Sequence, residues 1–142
     1  MTYLLDTNVI SELVAPQPNV NVVRWIESIA PESVFLSVIT VGELRRGIEK
    51  LRDSRRKSKL SEWLSADLMV RFADHLLPID VKVALTWGEV VAFAEKRGKP
   101  IPAIDSLIAA TAVSGGLTLV TRNVQDFRAT GVSLLNPWEA PE

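Results

Sequence analysis

Residues 3–14 read YLLDTNVISELV. Tyr3 to Leu5 is an apolar run too short for a helix and suited to a buried strand, and Asp6 ends it. Thr7 or Asn8 is then available to cap a helix through VISELV. The local order is strand, acid, helix. It recurs downstream. VFLS (34–37) reads as a second buried strand, after which Thr40 is placed to cap a helix through Val41, Leu44, Ile48 and Leu51, with Glu43 in its first turn. LTLVT (117–121) reads as a further strand, and VSLLNP (132–137) as a last one.

Helical patterns fill the intervals. Val20, Val23, Ile26 and Ile29 recur at helical spacing, and Leu60–Phe72 gathers Trp63, Leu64 and Leu68 on one face. A brief strand at LLPID (76–80) leads into Val81–Lys96, the longest amphipathic stretch, which Gly98 and Pro100 stop. Ile104–Val113 is nearly uniformly apolar and ends at Gly115-Gly116, so it is expected to be buried. Strands alternating with helices predict an α/β sandwich around a mostly parallel sheet. With 142 residues and no visible linker or repeat, residues 1–142 are expected to form one domain.

Composition narrows the chemistry. The chain has no cysteine, which removes disulfides, thiolate zinc sites and cysteine nucleophiles together. No stretch resembles a signal peptide or a membrane span, so a cytoplasmic protein without membrane contact is expected. The formal net charge is −1, yet half of all Lys and Arg fall between Arg45 and Lys59. That segment reads either as a solvated helix face or as a local patch for phosphate.

Against this background four acids stand out: Asp6, Glu43 in VGELRRG, Asp105 in PAIDSLIAATA, and Asp126 in TRNVQDF. The first three sit among apolar neighbours, and burying isolated carboxylates costs several kcal/mol each without compensation. A shared divalent cation would compensate, since hard ions take oxygen ligands. In open α/β sheets such sites form beyond the carboxyl ends of strands, where Asp6, Glu43, Asn123 and Asp126 all fall. Each acid also has a plainer reading. Asp6, Asp105 and Asp126 are each able to cap a helix or turn, and Glu43 to pair with Arg46 or Lys50. Asn123 competes with Asp126 as a fourth oxygen donor. His75 is the single histidine and reads as a surface or edge residue rather than a general base. No nucleophile elbow, P-loop or dinucleotide glycine pattern is present.

Five segments, LLDTNVISEL, SVITVGELRRGIEKL, IPAIDSLIAATA, LVTRNVQDF and LLNPW, together resemble the PIN-domain ribonucleases, in order and in register. Among these the chain is similar to the toxins of bacterial VapBC-type pairs, in particular the FitB-like branch. The resemblance implies a three-layer α/β/α fold and Mg²⁺- or Mn²⁺-dependent endoribonuclease activity on RNA. It further implies a homodimer, neutralisation by a VapB/FitA-like antitoxin, and contact with operator DNA only through that antitoxin. Carried over by position, Asp6 and Asp105 correspond to direct metal ligands and Glu43 to the residue that positions water. Either Asn123 or Asp126 is the fourth member, and Asn8 and Thr121 match small polar residues that support the ligands. Arg122, Asn123 and the basic stretch from Arg45 are expected to hold the phosphate backbone. Two other classes compete. One is a binding module acting with its antitoxin in a DNA-bound repressor complex. The other is a phosphatase with Asp6 as nucleophile, which Asn8 disfavours because a second Asp is wanted there.

Overall fold

In the computed structural model, which describes residues 1–140, the strands are Tyr3–Leu5 (β1), Val34–Ser37 (β2), Leu76–Leu77 (β3), Thr118–Val120 (β4) and Leu134–Leu135 (β5). They form one sheet in the order β3-β2-β1-β4-β5, with every neighbouring pair parallel. Tyr3 pairs with Val34 on one side of β1, and Leu5 with Val120 on the other. Side chains alternate between two cores, as a sheet covered on both faces requires. Leu5, Val34, Leu36 and Val120 pack on one side with Val9, Val22, Leu44 and Ile48. Leu4 and Leu119 pack on the other with Val90, Ile108, Ala109 and Phe127. Each fully buried leucine here contributes about 1.5–3 kcal/mol of transfer free energy. This is the expected three-layer α/β sandwich, and its sheet is wholly parallel.

The helices are Thr7–Leu13 (α1), Val20–Ser28 (α2), Val38–Glu49 (α3), Arg55–Glu62 (α4), Met69–Arg71 (α5), Val81–Lys96 (α6), Ala103–Gly115 (α7) and Val124–Phe127 (α8). A wide π turn over Trp63–Leu68 joins α4 to α5 and keeps Leu64 and Leu68 in the core. On α2 the fully buried residue is Val22, whereas Val20 is 55% exposed, so the helix is rotated relative to the expected apolar face. α7 ends at Gly116, whose φ of 65° is left-handed and suits a residue without Cβ.

Of the two caps at these strand ends, one follows the plainer reading of Asp6 and one departs from expectation. Asp6, not Thr7 or Asn8, caps α1, its Oδ1 accepting from the Thr7 N–H at 2.8 Å. Ser37, not Thr40, caps α3, its Oγ accepting from the Ile39 N–H at 3.0 Å. The reason is shared: each helix starts within one residue of its strand's end, so the residue at the turn from strand to helix takes the cap. Glu43 therefore lies one turn deeper in α3 than the sequence suggests. Among the described residues, no helix is long and apolar enough to cross a membrane.

The chain runs outward from β1 to β2 and β3, then returns to place β4 on the other side of β1. That reversal opens a crevice beyond the carboxyl ends of β1 and β4. Asp6 and Thr121 are the residues that follow those two strands.

Candidate functional site

Asp6, Glu43 and Asp105, although far apart in sequence, line one cavity of about 480 Å³ at this crevice, together with Asn8, Arg122 and Asn123. β1 delivers Asp6, the second turn of α3 delivers Glu43, and the first turn of α7 delivers Asp105. Asp6 is only 6% exposed. Its two oxygens are already engaged: Oδ1 by the Thr7 N–H, and Oδ2 by the hydroxyl of fully buried Thr121 at 2.8 Å. Asn8 Nδ2 reaches the same Thr121 oxygen at 3.2 Å. Glu43 does not pair with Arg46 or Lys50. Its Oε1 accepts from the Thr7 hydroxyl at 2.5 Å, and Thr40 Oγ1 lies 3.2 Å from that hydroxyl.

The electrostatics are unbalanced. Burial raises the Asp6 carboxyl above its ordinary value, against the lowering effect of its hydrogen bonds to Thr121 and Thr7; the charge of Glu43 adds to the rise. Asp105 is also raised, first by burial and then by the charges of Asp6, Glu43 and Asp126. Arg122 is the single cation in the lining, and its guanidinium lies over the Trp138 ring rather than against an acid. Among the described residues the ion pairs are Arg45–Glu49 and Lys57–Asp53, and none of these four lines the cavity. The repulsion among these acids is therefore not quenched from within the described residues.

All the donors are hard oxygens, which suits Mg²⁺ or Mn²⁺ and not a thiolate or imidazole metal. Among the described residues, no three His, Cys, Asp or Glu side chains converge tightly enough to grip one ion directly. The arrangement thus fits an ion held by one or two carboxylates, with water completing its shell, as Mg²⁺ prefers.

Asp126 stands apart. It is exposed in the first turn of α8 and outside the cavity wall, while Asn123, which caps that helix, lines it. His75 is at the other end of the sheet, its Nδ1 2.8 Å from the carbonyl of Val34, the first residue of β2. Its ring stacks on Phe35, as expected of an edge residue.

A second cavity, of about 620 Å³, adjoins the first and shares Thr7, Ser11 and Glu43 with it. Its floor is apolar, from Val14, Leu44, Ile48, Leu60 and Trp63, and Arg55, Arg56 and Lys59 stand on its wall. The basic segment is thus divided: Arg45 and Lys57 are spent on local ion pairs, and three other cations face this groove.

The family model described as PIN domain matches residues 3–132. The chain belongs to the PIN-domain family. It is similar to toxin FitB of Neisseria gonorrhoeae, 45% identical over 135 residues that cover 95% of this chain and 97% of FitB. A VapC ribonuclease of Sinorhizobium fredii is 38% identical, over 96% of this chain and 97% of its own length. Among solved structures, a FitAB complex bound to a DNA fragment superposes with a TM-score of 0.95 at 41% identity, covering 99% of each chain.

In this PIN domain the residues that the sequence left unremarked as site components are Thr7, Ser11, Glu12 and Trp138. Thr7 and Ser11 are one helical turn apart, so spacing alone could have placed them together. Trp138 carried no such signal, because its position depends on where the chain lies after β5.

Proposed function

We propose that this PIN domain is a divalent-metal-dependent endoribonuclease and the toxin half of a toxin–antitoxin pair. The observation that carries the reading is the convergence of Asp6, Glu43 and Asp105 on one cavity without an ion-pair partner. The names of its relatives, a toxin and a VapC ribonuclease, support it. A bound Mg²⁺ or Mn²⁺ would activate water and neutralise charge on the phosphate oxygens as the phosphodiester breaks. Asp6 and Asp105 are the residues that would hold it. Thr121 and the Thr7 amide fix the Asp6 carboxylate, and the Thr7 hydroxyl aims Glu43 to position the attacking water or take its proton. Arg122 and Asn123, on the same wall, bind the RNA phosphates, and Asp126 tunes the site through its charge on Asp105. A phosphatase reading with Asp6 as nucleophile is disfavoured, because Asn8 stands where that chemistry wants a second Asp, and its side chain is spent on Thr121 and the Arg122 N–H.

The adjoining groove is the dock for the antitoxin. An amphipathic helix lays its apolar face on such a floor, acidic residues of the helix meet Arg55, Arg56 and Lys59, and the shared wall at Thr7 and Glu43 lets it extend a cationic side chain toward the acids. The DNA in the FitAB complex supports operator contact through the antitoxin here too. Val81 and Leu85 of α6, 76% and 67% exposed, with Ile104 beside Asp105, supply an apolar face for a homodimer.

The test is incubation of the purified chain with single-stranded RNA and Mg²⁺. Cleavage that EDTA and Asp6→Asn both abolish is expected. Cleavage that persists at the wild-type rate in either case would overturn the assignment.

A further inference from the structure

We propose that Trp138 and Arg122 form a base-recognition subsite, the indole stacking a nucleobase beside the cleaved bond and the guanidinium taking the adjoining phosphate; this rests on the ribonuclease reading above. Trp138 belongs to the wall of the acid cavity, half-buried, with part of its ring packed against the core on the α1–α2 side. Its backbone is anchored at both ends of the residue: the N–H donates to Asn136 Oδ1 at 2.9 Å, and the carbonyl accepts from Asn21 Nδ2 at 2.9 Å. Core packing of part of the ring and this anchored backbone together place a large flat surface in the wall beside the acids.

Arg122 is tied to the same network. Its N–H donates to Asn8 Oδ1 at 3.3 Å, and Asn8 in turn contacts Thr121 and Asp6. With several carboxylates in the same cavity, the guanidinium still rests over the indole, 5.4 Å from the ring centroid. A cation–π contact at an exposed position is weak. A nucleobase on the ring and a phosphate on the guanidinium are both stronger partners, so RNA exchanges a weak contact for two better ones. RNA is read where bases are splayed out of the helix and stack on aromatic rings or arginine planes. Stacking tolerates any base, so the subsite confers a requirement for a base at that position rather than a strict sequence.

The experiment compares the full-length wild type, Trp138→Leu and Trp138→Phe in Mg²⁺, cutting a short single-stranded RNA. The same oligomer is then used with an abasic nucleotide on either side of the cleaved bond. Trp138→Leu is expected to raise KM about 5- to 100-fold with kcat little changed. Trp138→Phe should retain most of the affinity, and Mn²⁺ binding by calorimetry should be unaltered in both. One abasic position should weaken the wild type by a similar factor and Trp138→Leu no further. A folded Trp138→Leu with the wild-type KM, or an abasic penalty equal in both proteins, overturns the subsite. Should Trp138→Leu fail to fold, absence of any abasic penalty in the wild type overturns it. If the wild type cuts no RNA in Mg²⁺ or Mn²⁺, the ribonuclease reading itself fails, an outcome distinct from cutting without a base requirement.

Discussion

Thr121 shows how much of this site depends on residues that bear no charge. Its fully buried hydroxyl has one acidic partner, Asp6 Oδ2, and accepts from Asn8 and from the Asn123 N–H. Thr121→Val keeps the volume and removes the donor. It should lower Mn²⁺ affinity by about 10–100-fold in a calorimetric titration, the usual cost of losing a group that orients a ligand. Asp6→Asn and Asp105→Asn should exceed that loss and abolish cleavage while the circular dichroism spectrum is retained. The raised carboxyls also set a pH dependence. Folded and ion-free, the protein holds the Asp6 and Asp105 protons more tightly than the unfolded chain does. Their contribution to stability is therefore complete below the ordinary carboxylate pKa and is lost as pH rises through the raised values. In EDTA, Tm should fall across that window, and Asp105→Asn should flatten the fall. Parallel Tm profiles for the two proteins would contradict this. Added Mn²⁺ should raise Tm at neutral pH and do so less as the carboxyls protonate.

Elements matter because each acid is aimed by how its helix begins. Ser37 ends β2, pairs in register with Leu77, and caps α3 at once, which fixes the angular position of Glu43. Ser37→Ala should cost about 1 kcal/mol in urea unfolding, the typical worth of an N-cap, and should lower cleavage through Glu43. An unchanged urea midpoint would show that the ladder alone positions the helix. The sequence pattern pointed to Thr40 as the cap and left Ser37 in the strand. The choice was made by where the β2–β3 ladder stops. Likewise α7 holds Asp105 at its first turn because Trp87 Nε1 donates to Ser106 Oγ at 2.8 Å and that hydroxyl donates to the Ala103 carbonyl. Neither bond is visible in the spacing of IDSLIAATA.

For the whole molecule, an acid-lined cavity adjoins one with an apolar floor and three cations, and on the proposed function the pair separates catalysis from control. Replacing Arg55, Arg56 and Lys59 with Ala should leave Mn²⁺ binding intact and slow antitoxin association, most at low salt, since rim charges act mainly on the rate of encounter. Equal association rates at low and high salt for the wild type would count against a charged partner. Leu85→Glu, on the exposed face of α6, should shift sedimentation from dimer to monomer.

The sequence by itself determined the α/β class and the helix and strand order and singled out Asp6, Glu43 and Asp105 as candidates, because period and isolated charge among apolar neighbours are local properties. Tertiary structure alone decided that these acids share a wall. Strand order places β4 beside β1 and opens the crevice there, and strands of two to four residues carry too little pattern to announce their neighbours. The same holds for Trp138, whose nearness to the acids follows from the path of the chain after β5 rather than from any spacing along it.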